Sequence, residues 1–114
     1  MTVADPRRQL TEFALGLPGT REDYPWNELV IKVGTKVFVF LGGDEPWITV
    51  KLEESHGHAL SIDGAHPTGY GLGASGWVTV PVSDVPLATL REWVEESYRI
   101  VAPKRLVTQL DADG

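Results

Sequence analysis

Leu29-Val30-Ile31-Lys32-Val33-Gly34-Thr35-Lys36-Val37-Phe38-Val39-Phe40-Leu41 decides the fold. Two β-branched and aromatic runs flank Gly34-Thr35, a pair that suits a two-residue hairpin turn with glycine first. The spacing predicts antiparallel strands over 29–33 and 36–41. Strict alternation would put Phe38 and Phe40 on one face and Val37, Val39 and Leu41 on the other. The turn Gly42-Gly43-Asp44-Glu45-Pro46 leads to a third strand, Trp47 to Leu52. There Ile48, Val50 and Leu52 share one side, and Trp47, Thr49 and Lys51 the other. Short connections between consecutive strands favour an antiparallel meander.

Outward from this hairpin, the flanks read as helices. Asp5-Pro6 fits an N-cap followed by proline in the first helical position. Leu10, Phe13, Ala14 and Leu17 then follow the spacing of a buried helical face, which Gly16 and Leu17-Pro18-Gly19 end. Thr20 to Asn27 reads as a polar connector. Glu53 to Ile62 is compatible with a short helix, and Gly64 to Gly76 reads as loop. Trp77 to Val82 is a fourth strand. A long helix from about Pro86 to Val101 carries Leu87, Leu90, Val94 and Val101 on one face, with Trp93 assigned to the core. Pro103 opens a short turn through Leu110, before an acidic tail that is expected to fray. Residues 1–114 thus form one domain of α+β class. It is a two-layer sandwich, an antiparallel sheet with helices packed on one face.

Bulk properties narrow the chemistry. The 114 residues include no cysteine, which excludes disulfides, thiolate nucleophiles and cysteine-based zinc sites. The N-terminus lacks a basic region followed by an apolar run. No apolar segment approaches the ~18 residues of a membrane span. The expectation is a cytoplasmic protein without a membrane partner. The net charge of −6 weighs against avid nonspecific DNA binding, and the ten basic residues form no run longer than two.

Gly71-x-Gly73-x-x-Gly76 spells a dinucleotide-binding pattern, but these glycines precede a strand instead of opening a helix. No nicotinamide or flavin cofactor is therefore expected. A loop needing close backbone approach is the ordinary explanation, with an anion-binding nest as the functional one. Ser75 is out of step with a hydrolase elbow and has no assignable base. His56, His58 and His66, with Asp63, would need an extended segment and a third ligand to hold a metal, and none is expected. The adjacent carboxylate pairs point apart in helix or strand and form no acid–base dyad. Trp26, Trp47 and Trp77 could stack on bases. Lys32, Lys36 and Lys51 lie on neighbouring strands and could form a small basic patch.

Several stretches, in order, resemble the MmcQ/YjbR family. They are Leu17-Pro18-Gly19, Glu22-Asp23-Tyr24-Pro25-Trp26, Ile31 to Phe38, Val50-Lys51-Leu52, the Pro67 to Tyr70 turn, Trp77-Val78-Thr79-Val80 and Glu96-Ser97-Tyr98-Arg99. The resemblance implies a frataxin-like (CyaY-like) α+β fold and a DNA-binding protein of double-wing type without established enzymatic activity. Such proteins commonly carry His, Asn and Lys between the loop tyrosine and the strand tryptophan. Here that interval, 71–76, holds no basic residue. The expected function is that of a non-enzymatic DNA-binding or regulatory protein. Lys32, Lys36, Lys51 and Arg21 would meet phosphates, and Tyr70, Gly71, Gly73, Ser75 and Trp77 would shape or make the loop contact. The alternative is a module for a small anionic ligand or a protein, using the Gly69 to Gly76 loop without nucleic acid.

Overall fold

The computed structural model describes residues 6–42, 46–69 and 71–113. The expected N-cap Asp5, the turn residues 43–45 and Tyr70 lie outside them. In chain order come α1 (Pro6–Leu15), β1 (Thr20–Asp23), β2 (Leu29–Val33), β3 (Lys36–Gly42), β4 (Trp47–Lys51) and α2 (His56–Leu60). β5 (His66–Pro67), β6 (Trp77–Pro81), α3 (Leu87–Val101) and α4 (Lys104–Asp113) follow. The six strands form one antiparallel sheet in the order β1-β2-β3-β4-β6-β5.

The helices cover one face of this sheet. Ile31, Val33, Val39, Ile48, Val50, Val78 and Val80 from the strands share a single core cluster with Leu10 and Ala14 of α1, Ala59 of α2, Leu90, Trp93, Val94 and Tyr98 of α3, and Leu106 of α4. Val30 and Trp77 are buried as well but stand outside that cluster, on the opposite face. The α+β two-layer arrangement expected from the sequence is the arrangement present.

Three local readings change. Strict alternation fails in β3, because its register against β2 shifts twice: Val30 pairs with Phe40, Ile31 with Val39, then Lys32 with Val37. Each shift inserts an extra residue, as a bulge does. Phe38, Val39 and Leu41 are consequently all buried in the helix-side core, whereas Phe40 turns to the other face. The polar connector contains an edge strand, β1, and the glycine-rich loop contains the two-residue strand β5 and a 3₁₀ turn, Leu72–Ser75. Finally, α4 continues as helix to Asp113, and Arg99 of α3 holds it through a 2.8 Å ion pair to Asp111.

α3 locks onto the bulged strand through two buried side chains. Tyr98 sets its ring edge-on to Phe38, with centroids 5.4 Å apart, and its hydroxyl donates to the Pro18 carbonyl at 2.6 Å. Burial pushes the Tyr98 phenol above its ordinary pKa. Ser97, the only buried polar residue among those described, stands where β3 and β4 cease to pair. Its hydroxyl accepts from the Lys51 N–H at 2.9 Å and donates to the Phe38 carbonyl. One helix side chain thus replaces a missing rung of the sheet.

Candidate nucleic-acid interface

Among the described residues no helix packs on the second sheet face, and alternation together with the pairing register orders its side chains into rows. One row runs Asp23, Val30, Phe40, Thr49, Thr79, His66, each paired across to the next. Two residues along, or three in β3 where the bulge intervenes, the neighbouring row holds Arg21, Lys32, Val37, Lys51 and Trp77, with Thr68 just past β5. Arg21 pairs with Lys32, Lys32 with Val37, and Lys51 with Trp77.

The aromatic row is firmly seated. Phe40 packs edge-on against Trp77 with centroids 5.4 Å apart, and Trp47 packs edge-on against His66 at 5.7 Å. Thr79 shares hydrogen bonds with Thr49 at 2.9 Å and with Thr68 at 3.0 Å. Three hydroxyl protons serve two such bonds, so one proton remains for an outside acceptor. The chain can run in either direction, offering a donor or a lone pair. Phe40, Trp47, Thr49, Thr79, His66 and Glu28 surround a shallow hollow of about 280 Å³. The composition of this wall, aromatic rings with a few hydroxyls, suits ligand recognition.

Of the three candidate lysines, the structure brings two together. Lys32 and Lys51 share the open face with Arg21. Lys36 pairs with Val33, a helix-side core residue, and sits by the corner between α3 and α4. Lys32 is tethered by a 2.8 Å ion pair to Asp23. That hydrogen bond, with another from the Tyr24 N–H, holds the Asp23 carboxyl below its usual range. Glu22 accepts from the Tyr24 hydroxyl and pushes that phenol upward.

The glycine-rich loop has a structural explanation. Gly76 has φ +97°, and a Cβ there would lie 2.8 Å from the Leu52 carbonyl oxygen. A Cβ on Gly73 would meet Pro67 at 2.8 Å. The N–H groups of Leu72, Gly73 and Gly76 are spent on carbonyls within the loop and are not available to an anion nest. Gly71 and Ser75 are exposed. Trp77 is buried, which limits it to shaping the loop instead of stacking on bases. His56 and His58 lie on α2, where residues two apart do not face each other. His66 is beside Trp47, and no group of three or more potential ligands among the described residues could hold a metal.

A second hollow of about 520 Å³ lies on the helix side, lined by Glu53, Glu54, Glu92, Glu95, Glu96 and Arg99. Glu95, Glu96 and Arg99 are held in place there. Glu96 accepts from the N–H groups of Glu53 and Ser55 and from the Ser55 hydroxyl, and Arg99 is held between Glu95 and Asp111.

The YjbR family model matches residues 15–100, from the end of α1 to the last turn of α3. The chain belongs to the YjbR family. The fold of this YjbR chain is similar to a crystal structure of the Deinococcus radiodurans protein DR2400, whose family-model domain is DUF419. The two share 25% identity with a TM-score of 0.72, over 96% of this chain and 92% of that one. No curated protein matches the chain. Among the described residues of this YjbR protein, no helix is long and apolar enough to cross a membrane.

The signal for the site was present in the sequence, in part. Trp47, Thr49 and Lys51 read as one strand face, and Lys32 and Trp77 are candidates from the sequence alone. Phe40, His66, Thr68 and Thr79 were missed as members of the same surface. Their partners come from other strands, and the register that aligns them is a long-range property.

Proposed function

We propose that this YjbR chain is a non-enzymatic DNA-binding protein and that it binds through the open sheet face. The observation that carries this reading is the pairing of two rows: Arg21, Lys32 and Lys51 along one, and Phe40 with Thr49, Thr79 and His66 along the next. Cations meet phosphates and position a nucleic acid, while aromatic rings and hydroxyls reach the bases. Local alignment of three cations offsets the net charge of −6 only over short range. Binding should therefore be modest and strongly salt-dependent.

An amide NMR titration with DNA at low and then moderate salt tests the proposal. Shifts at Arg21, Lys32, Lys51 and Trp77 that salt reverses are the expected result. No movement on the open face at low salt with any DNA would sink the reading.

A second reading, a module for a small ligand or a protein group, is favoured by the hollow itself. Its described lining includes Glu28 and neither lysine nor arginine, so an anion is the least suited occupant.

A further inference from the structure

We infer that the open face takes single-stranded nucleic acid, with one unpaired base seated in the hollow between Phe40 and Trp47. This rests on the DNA-binding reading and adds the form of the ligand. A duplex keeps its base faces stacked inside the helix, so a flat sheet can meet only its backbone and groove edges. The aromatic rings of this face have nothing to stack on in a duplex. An unpaired strand presents base faces, and aromatic side chains on a charged surface are how such strands are held.

The geometry of the two rows matches that ligand. Residues two apart on a strand are about 6.5–7 Å apart, so the cation row and the aromatic row lie one base's reach from each other. Arg21, Lys32 and Lys51 follow a backbone that crosses the strands, and the hollow opens across the row of Phe40, Thr49, Thr79 and His66 from that track, toward Trp47 and Glu28. A volume of about 280 Å³ is small for a ligand pocket and has room for a single base. Its polar groups are those a base edge requires. The Glu28 carboxylate accepts from an exocyclic amine. The Thr49–Thr79–Thr68 hydroxyl chain donates or accepts according to its direction, so it suits either kind of base edge. With neither lysine nor arginine among the described residues of its wall, the hollow suits an uncharged base, with the phosphates on the cation row.

The test compares a short single-stranded DNA oligonucleotide with the duplex made from it, titrated into the full chain. Tryptophan fluorescence and amide NMR are the readouts. The single strand should bind more tightly, quench tryptophan emission and shift Thr49, Thr79 and the Trp47 indole. Three phosphate contacts predict a slope of log affinity against log salt of about −2, reduced by about 0.7 in Lys51→Gln. Trp47→Leu should weaken the single strand on the order of five- to a hundredfold, and Trp47→Phe should restore most of that loss. Thermal melts of both variants report whether they fold. If Trp47→Leu unfolds, the indole shift and the strand-versus-duplex comparison decide. Equal or tighter duplex binding, with the hollow unmoved, overturns the inference and leaves the DNA-binding reading intact. Binding of neither form at low salt overturns both.

Discussion

Replacing Ser97 by alanine probes how a sheet with a missing rung is held together. The side chain is fully buried, and its hydroxyl joins the Lys51 N–H to the Phe38 carbonyl. Alanine removes one oxygen and leaves almost no cavity, so packing loss is minor. The cost lies in the two backbone groups left without partners. An unsatisfied buried donor or acceptor costs about 1–3 kcal/mol. The carbonyl is fully buried and the N–H partly so, which gives on the order of 2–4 kcal/mol for the pair. For a domain of this size, each kcal/mol lowers the melting temperature by roughly 4 °C. A fall of roughly 8–16 °C follows. Urea unfolding should show a lower midpoint with an unchanged slope, because the surface exposed on unfolding is the same. Hydrogen exchange at the Lys51 amide should accelerate. Arg91→Ala, on the exposed side of the same helix, is the control and should stay within about 0.5 kcal/mol of the parent. A Ser97→Ala protein as stable as that control would refute the bridge as a stabilising element.

Gly76→Ala combines positive φ with a Cβ 2.8 Å from the Leu52 carbonyl oxygen, and should destabilise by about 2 kcal/mol or more. Gly57→Ala, in α2 with nothing within 4 Å, should stabilise by about 0.5–1 kcal/mol; paired chemical denaturation of the two variants checks the contrast. For Asp23, the folded carboxyl titrates below its unfolded value because of Lys32. Its contribution is therefore present above the unfolded pKa of about 3.9 and is lost as pH falls through the lower folded value. NMR titration should place its midpoint below that of an ordinary aspartate, and Lys32→Gln should bring it back up. Asp23→Asn should release Lys32 and tighten DNA binding at low salt; unchanged affinity would show that the ion pair does not compete with phosphate.

Much of the architecture was legible locally. The hairpin across Gly34-Thr35, the alternation of β4 and the helical face of α3 are carried by near neighbours in the chain, and so was the resemblance to the YjbR family. The bulges in β3 were not legible, because Val37 to Leu41 is apolar at every position and either parity could face the core. β1 escaped notice because Thr20-Arg21-Glu22-Asp23 is a polar edge strand, recognisable only from the β2 it pairs with. The glycine-rich loop drew attention as a contact site. Its glycines instead answer to the Leu52 carbonyl and to Pro67, neighbours that only folding supplies.

The sequence by itself determined the class of the fold, the helical and strand periods and the absence of thiol chemistry, since each depends on residue type and short-range spacing. Only the tertiary structure decided which candidate residues share a surface. Lys32 and Lys51 join Arg21 beside Trp77, Lys36 turns to the other side, and Phe40 meets Thr49, Thr79 and His66 across four strands. Side-chain direction reverses with every single-residue shift of register. That register is set by bulges and by Ser97 of a distant helix, so no local reading of the chain could assign the face.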